Sequence, residues 1–378
     1  MKICLLNVLH DVLDKRMYHK IARSLVAAGH EVVSIAPGRE KADGSPEGIR
    51  WVPVPEAHSF AGRLAAAARL VRLGRREGAD VYIAPEPESW VAALLIKRFG
   101  GGKAVLDMHE HIPGEFAKFF PPFLRGGISR ITIGVMRLFA RYTDLIVLTR
   151  ESFDSFWTGL RTPRVTVINT NHLQPPCDTI PESLRQRFGS VPTLIHQGIF
   201  GDIRGSYQLL DAMKQVRVVR PDVRCLVLGR YVYGNEQAYR RAIREAGLES
   251  TMVLIDPVPF DAVPAHIAVS RVGLLLFQPG LPNHTLAMPH KLFDYMREAR
   301  PVIAPSFSVE VARIVQEADC GLLVDVTSPQ AIATAMLDLL EHPEKAARLG
   351  QNGRRLVETK YNWQQDERRL IEAINRLA

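Results

Sequence analysis

Apolar and polar positions along this chain alternate between two periods. Short apolar runs of strand length are separated by stretches with apolar residues three and four apart, the spacing of an amphipathic helix. Lys2–Leu9 is the first strand-like run, and Arg16–Ala28 follows with helical spacing, ending at Gly29. Glu31–Ala36 is the next strand, stopped by Pro37-Gly38. A basic helix near Ala61–Glu77 then leads to strand Val81–Ala84, helix Ser89–Phe99 and strand Ala104–Met108. Ile128–Tyr142 carries Ile128, Ile131, Val135, Leu138, Phe139 and Tyr142 along one helical face, with Arg130, Arg137 and Arg141 on the opposite stripe. Strand Leu145–Leu148, helix Glu151–Trp157 and strand Val165–Asn169 close this half.

A polar, proline-bearing stretch from about Gln174 to Pro192 reads as a linker, and the alternation then restarts. Strands are expected at Thr193–Gln197, Arg224–Leu228, Met252–Leu254, Val272–Phe277, Pro301–Ala304 and Gly321–Val324. Helices are expected at Tyr207–Val216, Glu236–Ala246, Pro289–Arg297, near Val309–Ala318, and at Pro329–Leu340. Strands alternating with helices mean βαβ units and parallel sheets. The expectation is an α/β chain of two Rossmann-like domains, 1–175 and 190–360, with a final helix over 361–378.

With 378 residues, two domains can each bury a core without disulfides or structural metal. The composition, 47% hydrophobic and 23% charged, is that of a globular protein. No apolar run approaches the ~18 residues of a membrane span. Met1–Leu6 runs straight into a strand with no signal-peptide pattern, which predicts a cytoplasmic protein. Cys4, Cys177, Cys225 and Cys320 are far apart, so no CxxC metal or redox pair exists. The net charge is +8, and residues 1–190 hold 26 Lys+Arg against 19 Asp+Glu, a net of +7. An anionic partner is therefore expected for the first half.

Open α/β sheets bind ligands at the carboxyl ends of their strands. The loop after the first strand, with His10, Asp14 and Arg16, lacks GxGxxG, and no acidic residue ends the second strand. A dinucleotide site is therefore not expected here. GxxxxGK[ST] is absent throughout, which argues against a P-loop NTPase. In the second half, Gln197-Gly198-Ile199-Phe200-Gly201-Asp202-Ile203-Arg204-Gly205-Ser206 leads into a helix. Its glycines let backbone approach a ligand, and a helix N-terminus with Arg204 suits a diphosphate. The segment Asn283-His284-Thr285-Leu286-Ala287-Met288-Pro289-His290-Lys291-Leu292-Phe293-Asp294-Tyr295-Met296 places Lys291 and Asp294 on one helical face, with Pro289 read as the first helical residue. The cation can meet phosphate, and the carboxylate one turn deeper can accept the hydroxyls of a ribose. A surface ion pair is the alternative.

At these residues the sequence resembles the GT-B glycosyltransferases of the retaining family-4 (glycosyltransferase group 1) type, over nearly the whole chain. Pro289-x-Lys291-Leu292-Phe293-Asp294-Tyr295-Met296 followed by Pro301-Val302-Ile303-Ala304 looks like the family's nucleotide-sugar signature, and Gly198 with Arg204-Gly205 like its diphosphate-binding elements. Asp14-Lys15-Arg16 with Ala27–Val32 resembles its opening, Leu106-Asp107-Met108-His109-Glu110 a strand end of its first domain, and Tyr361-Asn362-Trp363 its tail. Where the family usually has two glutamates eight positions apart, this chain has Leu286 and Asp294, and Asn283, His284 or loop amides are candidates to bind the sugar instead.

The resemblance implies a GT-B fold, with two Rossmann-like domains facing across a cleft and the last helix crossing back to the first domain. It implies a hexosyltransferase using a UDP- or GDP-sugar as donor, with His109, Arg204 and Lys291 as the catalytic set. The donor site would comprise Gly198, Gly201, Arg204, Asn283, His284, Pro289, Lys291, Leu292 and Asp294. Acceptor-side candidates are His10, Asp14, Arg16, Glu86, Glu88 and Glu110. Attack would come from the face the leaving group departs, with the departing phosphate as base. No DxD motif or metal-spaced His/Cys cluster occurs, so no metal and no cofactor are expected. The expected acceptor is a glycan or lipid-linked sugar of cell-surface polysaccharide or glycoconjugate synthesis. An anionic inner membrane leaflet is the expected surface partner; nucleic acid is not, since no binding motif accompanies the charge. A nucleotide-sugar epimerase and a non-catalytic GT-B-like binding subunit are the rival readings.

Overall fold

The apolar runs of the first half form one parallel sheet in a computed structural model that describes residues 1–38, 48–57, 59–109 and 111–378. Its strands are β1 (Lys2–Leu6), β2 (Glu31–Pro37), β3 (Ile49–Val54), β4 (Val81–Ala84), β5 (Lys103–Met108), β6 (Leu145–Leu148) and β7 (Arg164–Thr166). The order β3-β2-β1-β4-β5-β6-β7 reverses direction between β1 and β4. Every pairing is parallel, as continuous apolar strands buried on both faces require. That reversal is the topological switch point at which open sheets of this kind bind ligands.

The second half repeats the design with β8 (Thr193–Gln197), β9 (Phe200–Gly201), β10 (Arg224–Leu228), β11 (Tyr231–Tyr233), β12 (Met252–Ile255), β13 (Val272–Leu274), β14 (Val302–Pro305) and β15 (Gly321–Val324). Six of these form a parallel sheet in the order β12-β10-β8-β13-β14-β15, whose reversal lies between β8 and β13. β9 and β11 pair separately.

The chain divides into two compact units, Met1–Asn169 with Trp363–Ala378, and Thr170–Asn362. The helix Trp363–Asn375 thus belongs to the first unit. Trp363, Leu370 and Ile374 are buried in the same core as Ile3, Leu5 and Leu25, and the Trp363 indole donates to the Ser24 hydroxyl at 3.0 Å.

Several elements differ from the pattern's expectation. The polar stretch read as a linker contains a helix, Glu182–Phe188, anchored by buried Phe188. Arg16–Ala28 is not one regular helix: Met17–Ala22 is a π-turn that passes into an α-helix at Arg23–Ala27. Glu151–Trp157 is a 3-10 helix. β3, which the pattern did not mark, lies at the sheet edge, where Pro53 removes a donor without breaking an interior ladder. Pro289 is extended (ψ 134°) and caps the helix His290–Arg297 from outside rather than beginning it. Among the described residues no helix is long and apolar enough to cross a membrane.

Candidate functional site

In the second unit the chemistry gathers at the carboxyl end of β8. Gly198 has φ +90°, a conformation that favours glycine, and a β-carbon there would lie 3.7 Å from Lys291 Cε and Nζ. The lysine thus lies along bare backbone. Its Nζ is 3.2 Å from Nε2 of buried His196. Burial and the nearby Arg204 charge pull the Lys291 pKa down to about 7, against the opposing pull of Asp294. Burial and the Lys291 charge likewise hold His196 neutral. The Arg204 guanidinium lies 5.8 Å from the Tyr233 ring centroid, and its Nε is buried with no partner among the described residues. A buried lysine whose charge is disfavoured first by burial and then by a neighbouring arginine is a group that a bound anion would recharge.

Asp294 is buried, and both oxygens are engaged. Asn171 Nδ2 donates to Oδ1 at 2.6 Å and Gln197 Nε2 to Oδ2 at 2.9 Å. A ribose that used this carboxylate would have to exchange with those amides. Neither Asn171 nor Gln197 was marked by the sequence reading. Gln197 ends the strand that precedes Gly198, which is a usable signal; Asn171 carries none. His284 Nδ1 lies 2.6 Å from the Gln278 carbonyl, and burial lowers the pKa of its ring. Asn283 is half-buried in the same short helix, Pro282–Thr285.

Two donor-side candidates have packing reasons of their own. The Leu292 side chain is fully buried in the core. Gly201 is required by protein backbone: a β-carbon would sit 2.2 Å from the Tyr233 carbonyl oxygen, where β9 meets β11. Gly205 is likewise pressed against the Leu276 carbonyl, at 2.3 Å.

In the first unit a chain of polar contacts crosses the ends of β1, β4 and β5. Arg16 clamps the fully buried Asp107 through Nε (2.8 Å) and Nη2 (2.6 Å), and its Nη1 donates to the Val167 carbonyl at 3.2 Å. This guanidinium holds the Asp107 carboxyl well below the usual range, against its burial. Asp107 Oδ2 lies 3.3 Å from His109 Nδ1, and His109 Nε2 lies 3.0 Å from His10 Nε2. His10 Nδ1 is 2.7 Å from Glu86 Oε1.

Four acceptor-side candidates have protein partners in the structure. Arg16 is buried and committed to Asp107. Asp14 caps the first helical turn, accepting from the Arg16 and Met17 amides at 2.8 and 2.7 Å. Glu86 is buried and accepts the amides of Val8, Leu9 and His10 and the Ser89 hydroxyl. Glu88 pairs with Arg63 at 2.7 Å. Carboxylates at strand ends are drawn to loop amides and helix starts because those groups have no partner in the regular structure. Glu110 lies outside the described residues. Sequence reasoning named His10 and His109 separately and missed that they touch.

The helices Ile112–Ala117 and Pro122–Ala140 leave an apolar surface uncovered. Phe119 and Phe123 are 74% and 83% exposed, Ile131 65% and Tyr142 63%; Met136 and Ala140 are the buried positions of the longer helix. Of its arginines, Arg137 is tied to the Phe156 and Thr158 carbonyls, whereas Arg130 is exposed.

Comparison with known proteins shows the family and the fold. Residues 15–170 match the family model described as a glycosyl transferase 4-like domain, and residues 191–342 match that of glycosyl transferases group 1. A GDP-mannose-dependent alpha-(1-6)-phosphatidylinositol monomannoside mannosyltransferase of Mycolicibacterium smegmatis is 25% identical over 325 residues, 82% of this chain and 80% of that protein. Among solved structures, Anabaena HepE in complex with UDP superposes with a TM-score of 0.75 at 16% identity, covering all of both chains. Sucrose-phosphate synthase from Thermosynechococcus elongatus gives 0.74 at 16% identity, over 100% of this chain and 99% of that one.

Proposed function

The chain is a group 1, family-4 glycosyltransferase of the GT-B fold, and from that premise we propose that it moves a hexose from a nucleotide diphosphate sugar to a lipid-linked acceptor with retention of anomeric configuration. The observation that carries this reading is the pair Arg204 and Lys291 beside Gly198. The pair sits at the topological switch point of the second sheet, and its mutual repulsion suits a diphosphate. The two cations stabilise the leaving diphosphate as the glycosidic bond breaks, which is electrostatic preorganisation. The departing phosphate takes the proton of the attacking hydroxyl on the same face. His109 serves the transferred sugar or the acceptor.

A GDP-hexose is the favoured donor. The mannosyltransferase relative uses GDP-mannose, and Glu236 and Asp256 line a small pocket with Gly229 at the ends of β10 and β12. A carboxylate there would accept from the two adjacent N–H groups that guanine presents and uracil lacks. Incubation with GDP-, UDP- and ADP-sugars and a phosphoinositide acceptor tests the reading. Nucleoside diphosphate release with a glycosylated lipid supports it. Free epimerised sugar points to an epimerase, and binding without turnover to a binding subunit; either overturns it.

The acceptor side favours a membrane. The exposed Phe119, Phe123, Leu124, Ile131, Val135 and Leu138 lie among Lys118, Arg125, Arg130 and Arg141, the composition of a helix that rests in an anionic interface. Each cation close to such a surface contributes about 1 kcal/mol. We place the protein in the cytoplasm, peripheral on an anionic inner leaflet. Co-sedimentation with phosphatidylglycerol-containing vesicles is expected, falling as salt rises. Phe123→Glu with Ile131→Glu should abolish it without changing nucleotide affinity. Equal retention on neutral and anionic vesicles, or none on either, would point to a soluble acceptor.

A further inference from the structure

His109 is coupled to a second histidine. The His10 and His109 rings meet edge to face with centroids 4.7 Å apart and their Nε2 atoms 3.0 Å from each other. The other nitrogen of each ring faces a buried carboxylate, Glu86 for His10 and Asp107 for His109. Both carboxyls are held ionised. Burial alone would protonate Glu86, but His10, the loop amides and Ser89 outweigh it and lower its pKa. Arg16 does the same for Asp107. An ionised carboxylate only accepts, so each Nδ1 carries a hydrogen. The two Nε2 atoms then face each other at hydrogen-bond distance. Two lone pairs would repel and two N–H groups would clash, so the attractive arrangement puts one proton between them.

We propose that His10 and His109 hold a single proton jointly between their Nε2 atoms, and that His10, backed by Glu86, is a positioning residue that sets the protonation and ring orientation of His109. The consequence for catalysis rests on the glycosyl-transfer reading above; the shared proton itself does not. Among the described residues, the charged and titratable groups near the pair include Glu86 after β4, Asp107 on β5, Arg16 behind Asp107, Arg150, whose guanidinium donates to the His109 carbonyl, and His111, whose Nδ1 accepts from the Gly114 amide. A sugar hydroxyl that donates to His109 Nε2 takes the single lone pair there in place of the His10 N–H, and the proton stays on His10. When a sugar oxygen needs a donor, the proton rests on His109. The proton moves between two nitrogens, and no substrate bond breaks in that step. Glu86, which follows β4, is thereby given a role in the reaction through His10.

The test uses the full chain labelled with ¹⁵N-histidine, observed by two-bond proton–nitrogen correlation between pH 5 and 9. The two rings should titrate as a coupled pair. His10→Gln keeps a neutral hydrogen-bonding partner in place, and should move the His109 titration by at least about half a pH unit. The same variant should change the pH profile of kcat while leaving the Kd for nucleoside diphosphate unchanged, and should retain more turnover than His10→Ala. Independent titration of the two rings, or a His109 that does not respond to His10→Gln, overturns the proposal. The spectra need no substrate. Coupled rings in a protein that transfers no sugar would therefore sink only the transfer reading, and uncoupled rings in an active transferase only this one.

Discussion

His109→Ala is expected to lower turnover by about 10²-fold or more and to leave nucleoside diphosphate affinity unchanged, the signature of a contact made in the transition state and not in the bound nucleotide. The separation follows from where the residue sits. His109 follows β5 in the unit formed by Met1–Asn169 and Trp363–Ala378, whereas Gly198, Arg204 and Lys291 belong to Thr170–Asn362. Its ring is 14% exposed, steered by Asp107 on one side and His10 on the other. Such a ring is held in one orientation yet remains reachable. Steady-state kinetics with calorimetric titration of nucleoside diphosphate measure both quantities. Normal turnover with a lowered melting temperature would make His109 a structural residue.

The second large effect concerns the cationic pair. Lys291→Ala and Arg204→Ala should each weaken nucleoside diphosphate binding by about 1.5–3 kcal/mol, the size of a hydrogen bond to a charged group. Their pH dependence separates this from general damage. Free Lys291 titrates at about 7, and a bound diphosphate favours its charged form. Binding therefore takes up a proton near and above neutrality, and affinity falls as pH rises from 7 to 9. Calorimetry in buffers of different ionisation enthalpy reads that proton directly. Burial is the larger cause of the low Lys291 pKa and remains in Arg204→Ala, but the variant removes the added repulsion, so the fall should move part of the way to higher pH.

Stability runs the other way. Between about 7 and the ordinary lysine value of 10.5 the unfolded chain binds a proton that folded Lys291 does not. The fold therefore loses stability as pH falls through that window, and the penalty is complete below 7. Lys291→Met should raise the melting temperature at neutral pH while weakening nucleotide binding. Unchanged affinity in both alanine variants would mean that the nucleotide lies elsewhere.

Periodicity located the strands of both sheets well because parallel strands buried on two faces are unbroken apolar runs. It missed β3, whose Arg50 and Pro53 interrupt that signal at an edge where interruption is tolerated. It also could not tell what covers the stripe from Ile128 to Tyr142. Helical spacing reveals an apolar face but not its partner, and that face is open in the folded chain. Gly198, Arg204 and Lys291 stand out in the sequence because each carries a local reason, a strand end, a forked cation and a helix start, and the fold brings Gly198 against Lys291. The hold of Asn171 and Gln197 on Asp294, and the meeting of His10 with His109 across 99 positions, are long-range pairings with no local signature. The same limit explains the acceptor-side carboxylates. A glutamate at a strand end reads alike whether it faces substrate or, as Glu86 does, takes up three loop amides.

The central claim, sugar transfer from a nucleotide diphosphate donor to a lipid-linked acceptor, is tested most directly on the product. The full chain is incubated with an α-linked GDP-hexose, a phosphoinositide acceptor and EDTA, and the glycolipid is examined by NMR for its anomeric configuration. The account predicts one new α-glycosidic bond per GDP released. A β-linked product, or GDP release with no sugar on the lipid, would contradict it.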